Sequence, residues 1–157
     1  MIKVNLVAVG KVKEKYFSDG ILEYAKRLSR FCDFNLIEVT EENYSKADEG
    51  TVKIIMDKEA SRIEQYLKGY VFALAIEGKK YSSQSFANEL SSLASRGNGT
   101  FTFVIGGSYG LSNKIKKRAD ALMSFSDMTF PHTLFRLMLT EQLYRVFCIN
   151  GGIAYHK

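Results

Sequence analysis

The amino-acid sequence predicts an α/β fold, a mostly parallel sheet with helices on both faces. Short β-branched apolar runs alternate along the chain with longer segments whose apolar residues recur at helical spacing, the pattern of strand–crossover–strand units. The chain has 157 residues with 46% apolar content, enough for one core and too little for a second full domain, so residues 1–157 are expected to form a single domain.

The elements follow in order. Ile2 to Val9 reads as a buried first strand, because Lys3 and Asn5 interrupt it and GKVKEK follows where a secretion signal would place small residues. Lys15 to Arg30 reads as a helix with an inward stripe of Phe17, Ile21, Leu22, Ala25 and Leu28. A strand over Phe34 to Val39 leads into TEENYSKADEG, Thr40 to Gly50, a polar loop expected to be the most mobile part. Thr51 to Leu67 is predicted helical, with Ile54, Ile55, Ile63 and Leu67 inward, and Val71 to Ile76 forms the third strand. Ser83 to Arg96 buries Phe86, Leu90, Leu93 and Ala94, and RGNG closes it with the glycine expected after a helix. Phe101 to Ile105 is a strand, a helix begins near Ser112, and Ala121 to Phe125 is a weaker strand. Pro131 then sits where a first helical turn tolerates a missing amide, before HTLFRLMLTEQLYRVFCIN, a helix apolar on nearly every side. Such a helix is buried widely, in part against a second subunit.

The formal net charge of +5 suits an anionic partner without selecting one. Cys32 and Cys148 stand far apart with only two histidines in the chain, which suggests neither a disulfide framework nor a zinc site and fits a reducing cytoplasm. No run reaches the roughly 18 apolar residues of a membrane span.

Three clusters can carry chemistry. FTFVIGGSYGLS runs from a strand into a glycine-rich turn, where backbone amides approach a ligand closely. Its spacing is GGxxG rather than the dinucleotide GxGxxG, and a tight turn that merely relieves crowding would look the same. Gly106, Ser108 and Gly110 also match GxSxG, and Asp120 or Asp127 followed by His132 or His156 gives the order of a serine-hydrolase triad. The second cluster, SFSDMTFPH at Ser124 to His132, lies at the carboxyl end of the last strand, so it and the GGSYG turn are expected to face one crevice. As plain core, its Phe and Met residues would simply plug the sheet end. The third cluster joins Glu141 and Arg145, four apart on one helical face, to the terminal Tyr155, His156 and Lys157. By default these are a helix ion pair and a frayed tail.

In order and over essentially the full length, VNLVAVGKVKEKY, LAIEGKKYSS, FVIGGSYGLS, SFSDMTFPHTLFRLMLTEQLYRVF and the terminal YHK resemble the ribosomal RNA large subunit methyltransferase H family, of the SPOUT class. The resemblance implies a deep trefoil knot in the C-terminal part of the fold. It implies S-adenosylmethionine, and no metal, as the methyl donor, bound by Leu74, Gly107 and the run Phe125, Ser126, Asp127, Met128, Thr129 and Phe130. It further implies a cytoplasmic homodimer, with no membrane or DNA partner, in which the tail of one subunit completes the pocket of the other. The expected reaction is methylation at N3 of a pseudouridine in 23S rRNA of the assembled ribosome, with Arg145, Tyr155 and His156 as the catalytic residues. Lys11, Lys13, Lys15, Lys79, Lys80, Lys114, Lys116, Lys117 and Arg118 are candidates for steering RNA, or equally a solvated face. The alternatives are a small serine hydrolase using Ser108 and a non-catalytic rRNA-binding protein.

Overall fold

The structure is a computed structural model that describes residues 1–44 and 48–157. Residues 45–47, the middle of the loop expected to be mobile, lie outside the described residues.

Among the described residues, five strands form one sheet: β1 (Lys3–Val9), β2 (Asp33–Val39), β3 (Tyr70–Lys80), β4 (Thr100–Ile105) and β5 (Ala121–Ser124). All pairings are parallel and the order is β2-β1-β4-β3-β5. Every carboxyl end therefore points to the same edge, where open α/β sheets present their ligand crevice. Helices α1 (Lys15–Leu28), α2 (Glu49–Glu64), α3 (Ser83–Ser95), α4 (Asn113–Arg118) and α5 (His132–Asn150) complete the chain.

The two faces of the sheet are filled separately. On one, Leu28 of α1, Phe86 and Leu90 of α3 and Leu139, Leu143 and Val146 of α5 pack on Val4, Leu6, Phe72 and Phe103. On the other, Ala60 and Ile63 of α2 and Ile115 of α4 pack on Val7, Val9, Val71 and Val104. Successive residues of β1 alternate between these cores, which is why the strand is apolar throughout instead of every second residue. Phe72 and Phe103 of neighbouring strands lie parallel with ring centroids 4.9 Å apart, and Phe86 stands edge-on to both. No helix among the described residues is long and apolar enough to cross a membrane.

Two residues assigned inward by spacing are outside: Leu22 is 64% exposed and Ile54 51%. Each adjoins a buried isoleucine, Ile21 or Ile55, one residue of rotation away, and periodicity alone cannot tell a covered stripe from an apolar flank. Helix α2 starts two residues earlier than expected, because the Asp48 carboxylate accepts the Thr51 amide proton at 2.8 Å and caps it.

Strand β3 also runs further than its apolar segment. Met123 of β5 is paired with both Leu74 and Lys79 of β3, and residues 75–78 bulge past it between the two pairings. Gly78 makes that possible: a Cβ there would stand 2.6 Å from the backbone of Leu122 and Met123. The glycine of LAIEGKKYSS is thus a point of backbone contact between two strands.

The largest fully buried side chain is a cation. Arg136 of α5 donates to Glu38 Oε2 of β2 at 2.7 Å and to the carbonyls of Val9 and Gly10 at 3.2 and 3.3 Å. A charge out of water is tolerated only with such partners, and these ones fix α5 against the carboxyl ends of β1 and β2.

Candidate active site

Beyond the carboxyl ends of β3, β4 and β5 lies a cavity of about 760 Å³, well inside the range of small-molecule sites. Its first wall is Leu74 to Glu77, the bulged stretch of β3. The second is the turn after β4, Gly106 to Gly110, closed by the Gly110 amide donating to the Gly107 carbonyl at 3.0 Å. Gly110 takes a positive φ of 83°, and a Cβ on Gly106 would lie 2.5 Å from the Gly110 carbonyl carbon, so the turn closes only with glycine at both positions. The third wall is the connector after β5. It is shaped by its own hydrogen bonds, Ser124 Oγ to the Ser126 carbonyl at 3.1 Å and the Met128 amide to Ser126 Oγ at 3.0 Å. Phe135, on the first turn of α5, packs against Phe125 with ring centroids 4.7 Å apart and gives that wall an apolar backing.

Of the residues the sequence assigned to the donor, Leu74, Gly107, Phe125, Ser126, Met128, Thr129 and Phe130 line this cavity. Asp127 does not: its carboxylate turns out to Lys80 Nζ at 2.6 Å, joining the connector to the end of β3. His132, the end of the Ser124–His132 cluster expected at this crevice, lines it too, as does Lys116, which the sequence offered only for steering RNA; Glu77 was not singled out at all. Glu77 and Lys116 form an ion pair of 2.6 Å at the wall, and burial lowers the proton affinity of the His132 imidazole. The lining therefore carries no unbalanced charge.

Arg145, Tyr155 and His156 do not line the cavity of their own chain. They are brought together elsewhere, and the tail is folded rather than frayed. The Tyr155 hydroxyl donates to Glu141 Oε1 at 3.0 Å and accepts from Tyr24 of α1 at 3.3 Å. Burial, then the bonds to Tyr24 and Glu141, hold that hydroxyl far above the usual phenol range, so it stays protonated. Arg145 Nη2 donates to the same Glu141 oxygen at 2.5 Å, and its guanidinium lies over the Tyr155 ring, 4.8 Å from the centroid. Arg145 Nη1 lies 3.3 Å from His156 Nδ1. Arginine has no acceptor, so Nδ1 accepts and the proton of the neutral ring sits on Nε2.

A hydrolase triad is not assembled. Ser108 Oγ donates to Glu41 at 3.4 Å, Asp120 accepts the Val71 amide at 2.8 Å, Asp127 holds Lys80, and His156 sits with Arg145. No non-glycine among the described residues has a positive φ, so Ser108 lacks the strained elbow that exposes such a nucleophile. Among the RNA-steering candidates, Lys15, Lys80, Lys114 and Lys116 are paired to carboxylates.

The all-parallel five-stranded sheet, with a glycine turn and an apolar cavity at its carboxyl edge, defines an α/β fold with a ligand crevice at the strand ends. The chain superimposes over its whole length on 72% of a probable methylase family protein from Haemophilus influenzae Rd KW20, with TM-score 0.58 at 12% identity. It also superimposes, with TM-score 0.50 at 12% identity, on a putative methyltransferase from Legionella pneumophila solved in complex with the bound cofactor SAM, covering 90% of this chain and 65% of that one. At such identities the likeness is one of fold.

Sequence narrows the class. The chain is 53% identical over 159 residues, 99% of its own length and 100% of the other's, to ribosomal RNA large subunit methyltransferase H of Streptococcus pyogenes serotype M18 (strain MGAS8232). The sequence model of the predicted SPOUT methyltransferase family matches residues 2–156, and the chain belongs to that family.

Proposed function

We propose that the chain is a homodimeric, cytoplasmic methyltransferase that uses S-adenosylmethionine to methylate N3 of a pseudouridine in 23S rRNA on the assembled ribosome. The observation that carries this reading is the 760 Å³ cavity, whose walls are the GGSYG turn and the SFSDMTF connector that the family resemblance assigns to the donor. Its lining suits such a ligand: aromatic and aliphatic walls for the adenine, exposed backbone groups for the polar atoms, and no unpaired cation to repel a sulfonium. Leu74, Gly107, Phe125, Ser126, Met128, Thr129 and Phe130 would hold it, with Asp127 securing the connector from outside. When bound, S-adenosylmethionine supplies a methyl carbon already activated by its sulfonium.

The protein's own tasks are then orientation and removal of the N3 proton. Tyr155 keeps its hydroxyl proton and presents a ring face and a fixed dipole to the base. His156 is the proton acceptor, at Nδ1, once Arg145 turns from that atom toward the developing anionic base. The separation of this cluster from the cavity within one chain supports a pocket completed by the partner subunit's tail, and the double pairing of Met123 supports the knotted threading of the family.

Titration calorimetry with S-adenosylmethionine, followed by methyl transfer to ribosomes lacking the modification, tests the reading. Binding heat with one methyl incorporated per ribosome is expected. A chain that binds rRNA in a salt-dependent manner but gives no heat with the donor would be a binding module instead.

A further inference from the structure

We propose that Glu141 is a positioning residue for methyl transfer, holding Tyr155 and Arg145 with one carboxylate and, through Arg145, setting the tautomer of His156. The inference rests on the methyltransferase reading above. Three donors meet at this carboxylate. Oε1 takes the Tyr155 hydroxyl and Arg145 Nη2, while Oε2 accepts from Gln142 Nε2 at 3.0 Å. Tyr24, from α1, completes the group through the Tyr155 oxygen. The side chain of Glu141 is only 18% exposed, so few water molecules can replace it as the acceptor.

An exposed Glu–Arg pair four residues apart on a helix adds little to stability, and stability does not explain this one. The two donors to Oε1 are the guanidinium that touches His156 and the tyrosine beside that histidine in sequence. Gly151 and Gly152 precede Tyr155 and His156, with φ +68° at Gly152, so the backbone supplies little stiffness and the tail takes its shape from the side chains that grip it. Without the carboxylate, Arg145 has no anchor at Nη2, Nδ1 of His156 loses its fixed donor, and the ring samples both tautomers. Glu141 touches neither reacting atom. It acts through the residues that do.

The test uses Glu141→Ala and Glu141→Gln in the full chain. Single-turnover methylation of ribosomes should fall roughly 10–100-fold for Glu141→Ala, the range seen when a residue that orients a functional group is lost. Glu141→Gln, which keeps an oxygen for Tyr155, should fall less, and donor affinity by calorimetry should match the native chain for both. With only two histidines, the nitrogen shifts of His156 can be followed by long-range ¹H–¹⁵N spectra at alkaline pH. They should report one Nε2–H tautomer in the native chain and an averaged ring in Glu141→Ala. If Glu141→Ala gives no donor heat and has lost its fold, the same two readouts on Glu141→Gln decide. Native turnover and native imidazole shifts in the folded variant overturn this inference alone; a native chain that neither binds the donor nor methylates ribosomes overturns the methyltransferase reading and this inference with it.

Discussion

The cavity and the tail are built from different materials. The cavity is made mainly of backbone: strand ends, a glycine turn and a connector folded on its own serine hydroxyls, with apolar side chains as lining. The tail is made of side chains, a carboxylate gripping a tyrosine and an arginine that in turn touches a histidine. A backbone site tolerates the loss of a lining side chain and fails when the chain path is disturbed. A side-chain site reverses this, because removing one polar group releases the rest.

That contrast can be broken in three places. The largest effect is expected from His156→Ala, which should leave donor binding heat intact and lower single-turnover methylation about 10²–10⁴-fold, the usual worth of a positioned acid–base group. Equal loss of donor affinity would mean that the tail and the cavity are not separable. Gly78→Val should do the opposite. Its side chain would meet the backbone of β5 at about 2.6 Å, so denaturant unfolding should show roughly 3 kcal/mol or more of destabilisation, together with weakened donor binding.

The smallest effect concerns Glu59, behind the glycine turn. This carboxyl is 4% exposed, accepts the Glu42 amide proton, and burial pushes it above the usual carboxylate range. A raised folded-state value means that the fold favours the protonated form. Its contribution is therefore full below the ordinary value near 4.5 and is lost as pH rises through the folded one. Glu59→Gln keeps an acceptor for the amide without the charge. It should melt about 2 °C higher than the native chain at pH 7–8, with the gap closing toward pH 4.5. A gap that widens in acid would reverse the sign.

Much of the cavity was legible in the sequence because its parts are local. The GGSYG turn and the SFSDMTF connector each follow a recognisable apolar run, and parallel strands place their carboxyl ends together. That Asp127 turns away from the cavity was not legible, because its partner, Lys80, is 47 residues away and joins it only through the pairing of β3 with β5. Arg136 was invisible for a similar reason. In an over-apolar helix a lone arginine reads as the solvent face, and only the crossing of α5 over β1 and β2 reveals Glu38 and two carbonyls waiting for it. Glu141 was legible as half of an ion pair, while its hold on Tyr155 depends on a reversal of the chain at Gly151 and Gly152 that spacing does not encode. Leu22 and Ile54 show the converse limit, since amphipathic spacing measures a face and not what covers it.

The bulge of β3 past Met123 has a consequence for how a molecule comes into being. Residues 74–80 are synthesised before residues 121–124, so the bulged stretch of β3 precedes the strand that pairs on both sides of it. The cavity wall that follows β5 is thereby the last of its walls to be synthesised, after the bulged stretch of β3 and the glycine turn.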